Sequence, residues 1–122
     1  MMKLPNFLTG VAFANLLLIA ACKYDSIPAP KPVSSNVKVI VQKNFVYVPD
    51  SISVNAGDTV QFQWESGNHP TVSDNNSWAT FTMDANNPTK DVILTLAGTY
   101  MYHCSIHGAA GGVDMAGKII VK

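Results

Sequence analysis

From residue 37 onward, apolar and polar side chains alternate with a period of two. Val37, Val39 and Val41 interleave with Lys38, Ile40 and Gln42. Val60, Phe62 and Trp64 interleave with Gln61, Gln63 and Glu65, the cleanest half-buried strand pattern in the chain. Val92, Leu94 and Leu96 form a third face. Tyr100, Tyr102 and Cys104 form a fourth, with Thr99, Met101 and His103 opposite, and Ile119 and Val121 close the chain. Alternation of this kind places successive side chains on opposite faces of a strand. The stretches VPDS, NAGD, ESGN, NNPT and LAGT supply turns between the runs. No segment shows a sustained period of 3.6. The expected fold is all-β, an antiparallel sandwich or barrel.

Strand alternation also sorts the residues near the C-terminus. Cys104 shares the core-facing side of its strand with Tyr100 and Tyr102, whereas His103 faces the other way. These two neighbours therefore do not serve one compact site, and His103 reads as an exposed strand histidine.

The N-terminal segment has a different character. Lys3 precedes an apolar run, VAFANLLLIAA, from Val11 to Ala21. The run is shorter than the roughly 20 residues of a membrane-spanning helix. A basic start, a short apolar centre and small residues before a cut describe a secretory signal. LIAAC, Leu18 to Cys22, resembles the bacterial lipobox, which implies cleavage before Cys22 and lipid attachment to it. The expected division is a signal peptide over 1–21, a Pro- and Ser-containing tether over 22–36 and a folded domain over 37–122.

Composition narrows the function. The chain has 122 residues, enough for one domain, and contains no Arg. Residues 37–122 hold five Lys against seven acidic residues, a net charge of −2. Such a surface offers no basic footprint for nucleic acid. No paired carboxylates at catalytic spacing, no Ser/His/Asp arrangement and no phosphate loop are present, so no enzymatic chemistry is indicated. With Cys22 acylated, Cys104 is a lone thiol in an oxidising compartment, a liability unless something occupies it.

The candidate chemistry lies in YHCSIHGAAGGVDM, residues 102–115, together with His69 in GNHPT. One thiol, two imidazoles and one thioether form the donor set of a blue-copper site, two His and one Cys in a plane with a weak axial Met. Thiolate and thioether favour Cu(I) while imidazole also suits Cu(II), so a mixed set held in one geometry lets the metal change oxidation state with little rearrangement. AGDTVQFQW (Ala56 to Trp64), His69, GTYMYHCSIH (Gly98 to His107), Met115 and GKIIV (Gly117 to Val121) together resemble a cupredoxin of the plastocyanin type. The resemblance spans essentially all of 37–122. It implies a Greek-key β-sandwich with one copper ion near one end, held by His69, Cys104 and His107 with Met115 as the axial ligand. It further implies a monomeric one-electron carrier at the cell envelope, facing the periplasm or the outer surface. The redox partner would be a protein such as a c-type cytochrome or a copper reductase.

Two departures from the family pattern stand out. Seven residues, GAAGGVD, separate His107 from Met115, where about four are usual, which opens the axial position to a backbone carbonyl or to nothing. Pro70 follows His69 where the family often has a residue whose backbone N–H reaches the cysteine sulfur, and proline has no N–H. That loss leaves more charge on the sulfur and implies a lowered potential. Asn68 is a candidate to tie the His69 loop to the cysteine loop. Other readings of the same residues are copper delivery without electron transfer, a zinc site with His103 as fourth ligand, and an adhesion sandwich in which His and Cys are incidental.

Overall fold

The computed structural model describes residues 36–122. The signal peptide, the Cys22 lipidation site and all of the tether except Asn36 lie outside the described residues. Eight strands follow in chain order: β1 (Val37–Lys43), β2 (Val46–Val48), β3 (Ser51–Val54), β4 (Thr59–Trp64), β5 (Thr71–Ser73), β6 (Thr89–Ile93), β7 (Gly98–Ala109) and β8 (Val113–Val121). No helix occurs among the described residues.

The strands form two four-stranded sheets, ordered β2-β1-β4-β6 and β3-β8-β7-β5. The expected sandwich is present, but both sheets are mixed rather than wholly antiparallel. β1 pairs with β4 in parallel, and so does β3 with β8. The cause is a change of sheet. After the β1–β2 hairpin the chain crosses at Pro49 and Asp50 to place β3 in the second sheet, then returns for β4. A strand that re-enters after a crossover can run parallel to its neighbour, which a tight hairpin does not allow.

Parallel pairing sets which side of β1 faces inward. Ile40 pairs with Phe62 and Gln42 with Trp64, and paired residues share a face. Ile40 and Gln42 are therefore buried, while Val37 is 54% exposed and Val39 also lies outside. The apolar face expected at Val92, Leu94 and Leu96 is likewise shortened. Val92 and Leu94 are buried, but β6 ends at Ile93, and Leu96 sits in the turn before β7, 73% exposed.

The core lies between the sheets and is built on edge-to-face aromatics. Tyr102 contacts Tyr47 at 4.8 Å and Phe62 at 5.2 Å between ring centroids, and Phe81 meets Phe62 at 5.3 Å. Ile40, Val60, Ile119 and Val121 fill the remainder. Tyr102 seats its ring against Gly117, where a Cβ would collide with the phenol. Cys104 and Met115 belong to this same buried cluster, so the candidate ligands rest directly on the core.

Phe62→Ala should cost about 3–5 kcal/mol, since it empties the centre of the aromatic cluster. Leu96→Ser should stay within about 0.5 kcal/mol of the parent because the residue packs against little. Urea unfolding midpoints at unchanged slope measure both.

Candidate metal centre

Cys104 and His107 are three residues apart on β7, a spacing that an undistorted strand would send to opposite faces. The pairing with β8 removes the difficulty. His103 pairs with Ala116 and Gly108 with Asp114, so the four residues Cys104 to His107 stand opposite the single residue Met115. Surplus residues in one strand form a bulge that bends it and re-aims its side chains. Here both donors turn toward the same end of the sandwich. Beyond the bulge the strands pair again through Ala109 and Val113, so the long segment between His107 and Met115 is a continued hairpin. Gly108 has a steric reason: a Cβ there would strike the Met115 carbonyl.

His69 arrives from the loop between β4 and β5. Gly67, at φ +83°, clears a path for its ring, because a Cβ at that position would collide with His69 Nε2. The Gly67 carbonyl accepts a hydrogen bond from Trp64 Nε1 at 2.7 Å. The His69 backbone is held from beneath by Gln42, whose Nε2 donates to the His69 carbonyl at 2.7 Å and to Thr71 Oγ1 at 3.0 Å. Thr71 Oγ1 donates in turn to the His69 carbonyl, and the Tyr47 hydroxyl donates to Thr71. Burial pushes the Tyr47 phenol up to about 12, opposed by its bond to Thr71, so the group stays a neutral donor. Ser105 N–H also donates to the Pro70 carbonyl, joining this loop to the cysteine strand. Asn68, expected to make that tie, is exposed. The backbone bond of Ser105 to Pro70 makes it instead, while Gln42, facing inward from β1, holds the loop from beneath.

Three of the four expected ligands converge. His69 Nδ1 lies 3.0 Å from His107 Nδ1, and Cys104 Sγ lies 3.5 Å from His107 Nδ1 and 3.8 Å from His69 Nδ1. A point equidistant from these atoms is about 2.0 Å from each, matching metal–imidazole bonds of ~2.0–2.1 Å and only slightly short of a metal–sulfur bond of ~2.3 Å. The donor set therefore fits one ion. His69 is 2% exposed and Cys104 is fully buried, while His107 is half-buried. Burial, and secondarily the His107 ring, lower the His69 pKa against the pull of the Ser66 carbonyl. The ring thus favours the neutral, metal-binding form. Its outer nitrogen, Nε2, is buried with no hydrogen-bond partner among the described residues.

Met115 is 1% exposed and sits at the mouth of the bulge that carries Cys104 and His107. His103 is not the exposed histidine expected from alternation. It is largely buried on the opposite face, where its Nδ1–H donates to Asp74 Oδ1 at 2.6 Å. That nitrogen is engaged and stands outside the three-donor cluster, so a Cys/His3 zinc set is not what the geometry assembles. Among the described residues, only the two imidazole nitrogens hydrogen-bond with Sγ, consistent with the missing N–H at Pro70.

Residues 34–122 match the family of copper-binding proteins described as plastocyanin/azurin. Among solved structures, oxidised plastocyanin from Dryopteris crassirhizoma is 25% identical, covering 70% of this chain and 100% of its own, with a TM-score of 0.58. A reduced tryptophan-to-tyrosine mutant of amicyanin is 27% identical over 75% of this chain and 87% of its own, with a TM-score of 0.57. The Cu(I) form of a methionine-to-alanine mutant of amicyanin is 28% identical over 69% of this chain and 80% of its own, with a TM-score of 0.55. No curated protein matches the chain.

Phe45 is a neighbour of the site that no sequence pattern signalled. It occupies the second position of the two-residue turn between β1 and β2 at φ +58°, a conformation that glycine adopts freely and bulky side chains do not. The residue is 65% exposed, yet its ring meets the His107 imidazole edge-on at 4.6 Å and lies 6.1 Å from that of His69. Left-handed backbone costs a non-glycine residue about 1–2 kcal/mol. An aromatic pair returns about 0.5–1.5 kcal/mol. Phe45→Gly should therefore leave stability level or slightly raised, whereas Phe45→Ala keeps the strain, loses the contact and should fall by about 1 kcal/mol. Thermal unfolding of the two variants beside the parent tests this order.

Proposed function

Because the chain belongs to the plastocyanin/azurin family of copper-binding proteins, we propose that it is a one-electron carrier of the cell envelope and catalyses no reaction of its own. The observation that carries this reading is the triangle of Cys104 Sγ and the two Nδ1 atoms, sized for one ion and seated on the core. His69, Cys104 and His107 would hold copper, with Met115 as a weaker fourth donor from the mouth of the bulge. Bound copper supplies the one-electron couple. The protein's part is to keep the donors in place in both oxidation states. The Gln42–Thr71–Tyr47 network fixes the His69 backbone, the paired hairpin fixes Cys104 and His107, and burial of Cys104 excludes water from the sulfur.

His107 is the donor nearest solvent. Around it lie exposed Phe45, Ile106 and Val113 and the small residues of 109–112. A small, weakly polar patch of this kind suits brief docking, since a carrier must release its partner quickly. A c-type cytochrome or copper reductase is the partner class we favour, and acylation at Cys22 would hold the domain at a membrane. The lipobox-like LIAAC stretch supports this placement.

Loading the protein with Cu(II) should give an intense blue colour from sulfur-to-copper charge transfer, lost in Cys104→Ser while the far-UV spectrum is kept. Voltammetry of the blue form should then be reversible. Ready surrender of Cu(I) to a competing chelator, with no reversible couple, would identify copper delivery instead of electron transfer.

Pro70→Ala restores the backbone N–H that the family pattern directs at the sulfur. One hydrogen bond of about 1 kcal/mol to the more anionic, reduced site should raise the potential by tens of millivolts, given ~59 mV per tenfold change in a one-electron couple. An unchanged or lowered potential in the variant would remove Pro70 as a determinant.

A further inference from the structure

We propose that Asp74 is a positioning residue for the metal site, a carboxylate bracket that closes the ligand-bearing segment of β7 and its hairpin. One carboxylate oxygen, Oδ1, accepts from His103 Nδ1–H at 2.6 Å, and the other, Oδ2, accepts from the Gly111 backbone N–H at 2.8 Å. His103 immediately precedes Cys104. Gly111 stands at the hairpin tip between His107 and Met115. The two anchor points thus enclose the whole bulge that carries Cys104 and His107, a span of nine residues held at both ends by one side chain. Asp74 is itself fixed, because its backbone N–H donates to the Met101 carbonyl at 3.0 Å, one step beyond the pairing of β5 with β7. His103 and Asp74 are both largely buried, so water competes weakly for the bond between them, while the bond to Gly111 lies at the exposed hairpin tip.

The physical need follows from the length of the segment. A bulge of four residues against one has lost its regular ladder to β8, and on the β5 side only the pairing of Cys104 with Thr71 and the bond of Ser105 N–H to the Pro70 carbonyl hold it. Only two residue pairs, Gly108 with Asp114 and Ala109 with Val113, close the hairpin beyond it. Two-stranded ribbons that short are marginal by themselves. A restraint from a third strand, acting on both ends, removes conformations in which His107 and Met115 drift from Cys104. The bracket works from the outer face of the sheet, opposite the donors, and so needs no contact with the metal. Its consequence for copper rests on the reading of the site as a copper centre; the restraint on the hairpin does not.

The test compares Asp74→Ala, Asp74→Asn and Val92→Ala, the last a core truncation in the other sheet that lowers stability without touching the hairpin. In metal-free protein, amide exchange at Gly111 should quicken at least about tenfold in Asp74→Ala, the loss expected for a bond to a charged acceptor. It should quicken less in Asp74→Asn, whose single amide oxygen keeps one anchor, and hardly at all in Val92→Ala. In the copper-loaded protein, release of Cu(I) to a chelator should accelerate in the same order, with a shifted potential in Asp74→Ala alone. Unchanged Gly111 exchange in Asp74→Ala, or equal effects from Val92→Ala, would overturn the bracket. Faster exchange with unaltered copper release and potential would overturn its positioning role. Absence of blue copper in the parent protein would instead sink the copper reading, leaving the exchange comparison to decide the restraint.

Discussion

The mismatch of four residues against one in the pairing of β7 with β8 is the constraint on which the rest depends. Without it, Cys104 and His107 fall on opposite faces of a strand and no shared ligand can reach both. With it, the sulfur stays in the core while the imidazole three residues later rotates to the same end of the sandwich. Every other feature of the site serves to make that local departure from regular pairing a single defined structure. Gly108 lets β8 approach closely enough for Met115 to face the bulge, and the continued hairpin re-establishes the ladder on the far side.

The opposite half of the site is built by a different device. His69 lies in a loop, with no ladder of its own to hold it. Gln42, Thr71 and Tyr47, all buried, connect its carbonyl to β1, β2 and β5. Such a network is stabilising only when its members are satisfied, because an unpaired polar group in the core costs about 1–3 kcal/mol. Here the Thr71 hydroxyl accepts twice and donates once, and of these three side chains only Gln42 has an atom, Oε1, without a partner among the described residues. Rigidity at His69 is therefore drawn from both sheets, through Gln42 and Tyr47 of the first and Thr71 of the second, and rigidity at Cys104 from the second.

How much of this could be read from residue order depends on the range of the interactions involved. The strand faces at Val60, Phe62, Tyr102 and Ile119 were apparent because alternation is a local property. The donors at 104, 107 and 115 were apparent because they fall within twelve residues, and His69 because the family resemblance supplies an upstream imidazole. What escaped was non-local. The inward turn of Gln42 follows from the parallel register of β1 with β4, set by a crossover that no single stretch encodes. Leu96 continued an apolar alternation past the point where β6 loses its partner. Asp74 and His103 meet only because β5 lies beside β7. A polar residue in phase with a buried strand face, as Gln42 is once Ile40 is placed inside, is the signal that would have found the network.

Several departures from regular local structure gather at the site. Phe45 stands where a turn asks for glycine, Gly67 makes room for the His69 imidazole, Gly108 makes room for the Met115 backbone, and His69 Nε2 is buried without a partner among the described residues. Each lies against the donor cluster, and Phe45 would give way to glycine if stability alone decided the sequence. Strain of this kind persists only where the surrounding structure over-determines it. Phe45 illustrates the exchange: its backbone is strained, and its ring covers the one imidazole that reaches solvent. A more relaxed turn would leave His107 freer to rotate, and a ligand free to rotate can be lost when the metal changes charge. Local strain and a fixed donor geometry are thus two descriptions of the same arrangement. The edge-on contact of Phe45 with His107 ties the β1–β2 turn of the first sheet to the bulge of the second.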